Sequence, residues 1–188
     1  MGLMVQSPAA KSPRENLRPI RLWGAMSAKK KLAKVGPSLV FFEDRGTVYD
    51  APLEVVWDFM LKDETFHPQA HTTSLRNFEG KPLSDVTNLI TCEVRKGGKW
   101  RRLVSRLTTI RPAVRIAEEL EGPYAGSKMV FVYTPRGSRT IVDVLCYMRS
   151  LELTPEQIEV DTRRTLANAF REDAPWFRKY ARSRKSKG

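Results

Sequence analysis

The sequence predicts an α+β domain: a curved antiparallel sheet of six to seven strands wrapped around one long C-terminal helix, with two short helices after the first strand. Three observations carry this. Between residues 72 and 150, apolar and polar residues alternate in short runs broken by Gly and Pro turns, the period-two pattern of half-buried strands. Just before that stretch, and again after it, the period becomes helical. The last helical pattern runs for about 25 residues with a single apolar face, so it must lie against something broad, and the concave face of the sheet is the obvious candidate.

Residues 38–50 are rich in β-branched and aromatic side chains and read as the first strand. Asp50-Ala51-Pro52 supplies a helix cap and a first-turn proline, and Leu53, Val56, Trp57 and Met60 follow at helical spacing. Residues 61–74 read as a second short helix or turn around His67-Pro68, and a weak strand follows over 72–80. Residues 85–95 alternate, with Val86, Ile90, Cys92 and Val94 on one face. Gly97-Gly98 is a two-residue hairpin signal ahead of a strand over 99–110. Arg111-Pro112 and the turn from Gly122-Pro123 to Gly126 bracket a strand over 114–121. Pro135-Arg136-Gly137-Ser138 separates strands over 129–134 and 140–149. Thr154-Pro155-Glu156-Gln157 is a capping box with proline at the first helical position, and Ile158, Leu166, Ala169, Phe170, Phe177 and Tyr180 recur at helical spacing. Pro175 removes the backbone bond to Arg171 and predicts a kink or an end there.

The 188 residues are 41% hydrophobic and 9% aromatic, enough for a packed core. No apolar run approaches the roughly 18 residues of a spanning helix. Cys92 and Cys146 lie within apolar runs and read as buried free thiols, which places the protein in a reducing, cytoplasmic compartment. The net charge of +12 sits at the ends: eight basic residues against Glu15 in 1–34, and seven against Glu172 and Asp173 in 171–188. The body between is neutral. Residues 1–37 read as a basic, disordered or extended tail, 38–182 as the domain and 183–188 as a second basic tail. The N-terminal segment lacks the apolar core of a secretory signal, and Gln6 breaks the myristoylation pattern. A targeting segment, or a start at Met26, remains compatible with its composition.

Val48-Tyr49-Asp50-Ala51-Pro52-Leu53-Glu54-Val55-Val56-Trp57-Asp58-Phe59 resembles the recurrent opening of the START/SRPBCC superfamily, an extended strand running into an Ala-Pro helix start with a following Val-Trp. With the terminal helix and the Glu119-Leu120-Glu121-Gly122 turn, residues 38–182 are similar to the helix-grip fold of that superfamily. It includes the birch-pollen-allergen-like proteins and the polyketide cyclase/dehydratase group. The resemblance implies an apolar cavity between sheet and long helix, used by members to bind lipids, sterols, hormones or polyketides, and only some members are enzymes.

On that basis the expected lining includes Trp57, Trp100, Val104, Phe131, Tyr133, Val144, Cys146, Phe170 and Phe177; the alternative is that they fill a solid core. Glu118 shares parity with Val114, Ile116 and Leu120, so a carboxylate is expected among cavity residues, with Arg102 and Arg106 as partners. Tyr124 and Tyr133 are hydrogen-bond candidates, and Asp143 is expected to face outward. His67 and His71 are the two histidines and stand four apart, suited to acid–base work or ligand hydrogen bonding. No metal site is expected of them, since Pro68 intervenes and the zinc-peptidase Glu is missing. The chain has no nucleophile elbow, P-loop or dinucleotide fingerprint, so no cofactor is expected. The expected partner is a hydrophobic small molecule or lipid. The alternatives are a cyclase- or dehydratase-like enzyme acting on a polyketide-like ligand, and a basic adaptor touching nucleic acid or anionic membrane through its tails and the 95–102 hairpin.

Overall fold

The computed structural model describes residues 36–61, 71, 75–96, 98–110 and 113–185. Strand β1 (Ser38–Tyr49) leads into helix α1 (Leu53–Leu61). Six strands follow: β2 (Leu75–Ser84), β3 (Thr87–Lys96), β4 (Lys99–Ile110), β5 (Val114–Glu121), β6 (Lys128–Arg136) and β7 (Arg139–Ser150). Helix α2 (Pro155–Lys185) closes the domain. The second short helix, over 61–74, and the N-terminal tail fall almost wholly outside the described residues, whereas 183–185 of the expected C-terminal tail continue α2.

All seven strands form one antiparallel sheet in the order β1-β7-β6-β5-β4-β3-β2. Short hairpins join β2 to β7 in sequence, and β1 returns to pair with β7. In β7 strict alternation buries Thr140, Val142, Val144, Cys146, Met148 and Ser150. Asp143 faces the other way and accepts a hydrogen bond from the Gly46 amide (2.8 Å). That bond secures a bulge: the β1–β7 register slips between Asp44 and Thr47, where Gly46 takes φ +78°. The bulge changes which parity of β1 faces inward. Phe42 and Tyr49 are both buried although they stand seven positions apart, an odd step that would put them on opposite faces of a regular strand, while Phe41 and Val48 are exposed.

The end of α1 and the whole of α2 cover the inner face. Val56, Phe59 and Met60 bury the inner side of α1, and Thr140 Oγ1 donates to Ala51 O (2.9 Å) at its start. The capping box at α2 forms reciprocally. Thr154 N donates to Gln157 Oε1 (3.0 Å) and Gln157 N to Thr154 Oγ1 (3.4 Å). The helix does not end at Pro175 but continues to Lys185, 31 residues in all. Phe177 anchors it, its ring 4.4 Å from Tyr49 and 4.6 Å from Phe59, both edge-on. Among the described residues no helix is long and apolar enough to cross a membrane.

Candidate functional site

The buried side of α2 is a stripe in which two polar residues complete the helical spacing. Ile158, Thr162, Leu166, Asp173, Phe177 and Tyr180 are all buried, with Ala169 and Phe170 half-buried between them. The apolar spacing alone leaves gaps at 162 and 173, and these gaps hold side chains that face the sheet. On β5 the inward set is Arg115, Ala117 and Glu119, because Arg115 pairs with Phe131 and Ala117 with Met129 of β6. The interior is therefore an apolar space into which a few ionisable groups project.

An inner cavity of about 250 Å³ lies between the sheet and the middle of α2. Its apolar walls come from Leu107, Met129, Phe131, Leu166 and Phe170, and Tyr49, His71, Arg115, Tyr133 and Asp173 contribute polar groups. Three of these form one chain of contacts. Tyr49 OH donates to Asp173 Oδ2 (3.1 Å), and His71 holds Glu172 at Nδ1 (2.9 Å) and Asp173 at Nε2 (3.1 Å). Burial, together with the neighbouring Asp173 charge, holds the Tyr49 phenol well above its ordinary value. It is therefore a proton donor here rather than a phenolate. Arg115 Nη1 lies 3.2 Å from Met60 Sδ.

A smaller apolar pocket of about 90 Å³ adjoins this cavity, sharing Met129, Thr165 and Leu166 with it. Val94, Leu103 and Met148 line it together with Glu119 and Thr162. Burial pushes the Glu119 carboxyl up to about 7, against the opposing pull of Lys96. On its other side the small pocket shares Lys96, Pro123 and Tyr124 with an outer cleft of about 650 Å³ at the N-terminal end of α2. A polar clasp stands at that boundary. Lys96 Nζ donates to Asp161 Oδ2 and to Thr165 Oγ1 (2.9 Å each), and Tyr124 OH donates to the same Asp161 carboxylate. Burial alone would raise the Asp161 carboxyl, but the bonds from Tyr124 and Lys96 outweigh it and hold the group at about 2.

The expected site residues divide into two groups. His71, Phe131, Tyr133 and Phe170 come together around the inner cavity. Trp57 stands behind it, its ring edge-on to Tyr133 with centroids 5.6 Å apart. Trp100, Val104 and Glu118 lie on the strand faces turned away from α2. Trp100 pairs with Arg95 and carries Arg76 over its ring at 4.3 Å. Val104 is buried but pairs with Thr91, opposite in parity to the inward Cys92 and Leu103. Glu118 does meet Arg106 (2.7 Å), as its parity predicts, and also Lys128 (2.9 Å), but on the outer face. Those bonds lower its carboxyl below the ordinary range. His67 lies outside the described residues.

The reason for the Glu118 correction is register. Val114, Ile116 and Leu120 form the apolar-looking side of β5, yet pairing with β6 turns that side outward and turns Arg115 and Glu119 in. A skipped register between Val104 and Ser105 reinforces this near Gly122, where φ is +118° and a Cβ would stand 2.9 Å from Arg102 O. Glu119, Thr162, Arg115 and Asp173 are the interior polar residues that alternation and apolar spacing overlooked; a polar residue within an otherwise apolar helical stripe was the available signal. The buried thiols are poor nucleophiles at neutral pH, since burial pushes Cys92 to about 11 and Cys146 to about 12. Among the described residues no His, Cys, Asp and Glu side chains group in threes that would hold a metal ion.

No family model matches the chain, and no curated protein sequence does. Solved structures do. The Zhui aromatase/cyclase from Streptomyces sp. R1128 superposes with a TM-score of 0.65 at 14% identity, over 76% of this chain and 96% of that one. A START superfamily protein from Mycobacterium smegmatis gives 0.61 at 11% identity, over 75% of this chain and 97% of that one. Ara h 8.0201 gives 0.59 at 9% identity, over 74% and 98%. With the seven-stranded antiparallel sheet and the long C-terminal helix across it, these likenesses establish that the chain has the helix-grip fold of the START/SRPBCC type.

Proposed function

We propose that this protein binds a hydrophobic small molecule or lipid in the cavity between the sheet and α2. The inner cavity carries the reading: about 250 Å³ of largely apolar space, walled by side chains of β4, β5, β6 and α2. A solid core would have closed it at the packing density of protein interiors. With the adjoining pocket of about 90 Å³, the space falls near the lower end of the roughly 300–1,000 Å³ of small-molecule sites. That size favours a compact ligand over a two-chain lipid. Burying about 300 Å² of such a ligand contributes roughly 7 kcal/mol, and ordering costs of several kcal/mol leave micromolar-class affinity.

The test is native mass spectrometry of the purified protein, followed by denaturing analysis of whatever accompanies it, with thermal shifts against a panel of fatty acids, sterols and polycyclic phenols. A stoichiometric apolar companion, or a raised melting temperature with one class, is expected. A bare mass with no shift from any class sinks this reading and moves attention to the basic termini.

The contacts among Tyr49, Asp173, His71 and Glu172 favour a second reading, a cyclase- or dehydratase-like enzyme. A tyrosine that keeps its proton and an imidazole flanked by carboxylates are groups able to give and take protons beside a bound ligand, with the cavity walls supplying orientation. pH-dependent conversion of a polyketide-like aromatic, lost in His71→Ala while the ligand still binds, would mark this reading. Unchanged conversion in that variant removes the acid–base role.

A further inference from the structure

The small pocket between the inner cavity and the outer cleft holds two polar side chains that its apolar walls do not explain. Glu119 is 9% exposed and Thr162 is 4% exposed, and both line it. Glu119 Oε2 and Thr162 Oγ1 have no hydrogen-bond partner among the described residues. Of the other lining residues, Val94, Leu103, Pro123, Met129, Met148 and Leu166 offer no strong donor or acceptor side chain, and Lys96, Tyr124 and Thr165 are already bonded within the clasp at Asp161. Burying a polar atom without a partner costs about 1–3 kcal/mol, and a carboxylate more. Two such atoms in one pocket, from different elements, are what a ligand's polar end would satisfy.

We propose that Glu119 and Thr162 form a polar subsite that receives a hydroxyl group of an otherwise apolar ligand whose body occupies the inner cavity. The proposal rests on the ligand-binding reading above and specifies its chemistry. A hydroxyl fits the pair because it donates to the carboxylate and accepts from the threonine. A cationic head group fits less well: Lys96 lines the same pocket and already acts electrostatically on Glu119. An anion is disfavoured by Glu119 itself and by Asp161 beyond it. The remaining titratable groups that act on this carboxylate or respond to it are Cys92 on β3 and Tyr124 after β5; both keep their protons at neutral pH. Glu119 is thus the one carboxylate lining this pocket among the described residues, and its Oε2 accepts no hydrogen bond there.

The test titrates the full-length protein with 2-naphthol and with 2-methylnaphthalene, which have nearly the same shape and differ in the hydroxyl. Wild type is expected to prefer 2-naphthol by about tenfold or more, the range for a buried hydrogen bond to a charged or strongly polar partner. Glu119→Leu should abolish most of that preference while leaving 2-methylnaphthalene binding within about twofold. Thr162→Val should reduce it by a smaller factor. Circular dichroism checks that each variant is folded; neither substitution removes a hydrogen bond made by those two atoms. Equal binding of the two probes to wild type, or a preference that survives both substitutions, overturns the subsite while ligand binding stands. If neither probe binds, the subsite is overturned, and the cavity reading is decided separately by the ligand panel.

Discussion

Replacing Glu119 by Gln should make the protein more stable, and increasingly so as pH rises. In the folded state the carboxyl ionises near pH 7 instead of 4.5. A carboxyl whose folded value is raised holds its proton longer in the native state than in the unfolded one. Stability therefore falls with pH across the window from about 4.5 to 7 and levels off above it. At about 1.4 kcal/mol per tenfold change, that separation amounts to about 3 kcal/mol lost by pH 8, most of it between pH 5 and 8. The glutamine keeps the shape and cannot ionise. Urea unfolding of both proteins at pH 5, 6, 7 and 8 isolates the effect, because every other titrating group cancels in the difference. The stability gap should widen by about 2–3 kcal/mol from pH 5 to 8 in favour of the variant. A gap that stays flat within about 0.5 kcal/mol would refute the reasoning, because it would mean that the carboxylate is solvated or paired in solution.

Two further outcomes follow from the same interior. Asp161→Asn leaves Lys96, which is largely buried, without its carboxylate and should cost about 2 kcal/mol at neutral pH in urea unfolding. Because the folded carboxyl is depressed, its contribution is fully present above pH 3.8 and is lost as pH falls through 2, so the difference between wild type and variant should shrink on acidification. Phe177→Ala removes the ring packed against Tyr49 and Phe59 and should cost about 3–5 kcal/mol by thermal or denaturant unfolding. A loss under about 1 kcal/mol would show that this end of α2 is not anchored by that ring.

Alternation and helical spacing were sufficient for most elements. The long helix announces itself through its capping box and apolar stripe, and β7 through its unbroken alternation of buried and outward residues. Register was the harder quantity. β1 carries a bulge that reverses its facing, so Phe42 and Tyr49 share the core although simple parity assigns them to opposite sides. β5 misleads in a different way. Its aliphatic residues face outward and its charged residues inward, an arrangement that pattern reading treats as an error but that a polar-lined cavity requires. Trp100 misleads in a similar way: a large aromatic in an alternating strand predicts an interior position, but it packs under Arg76 on the opposite face. Long-range partners such as Glu172 for His71 lie about a hundred positions away, and periodicity carries no information about them.

The clasp of Lys96, Tyr124 and Asp161 has a kinetic consequence. A molecule travelling from the outer cleft toward the inner cavity by way of the small pocket meets side chains already bonded to one another. If Tyr124 must leave Asp161 for a molecule to pass, opening precedes binding on this route. Along this route the rate of arrival is set by how often the protein opens, so the observed association rate should plateau as the molecule's concentration is raised. For a ligand bound in the inner cavity as proposed, the same contacts would slow its exit along this route beyond what apolar contact alone provides.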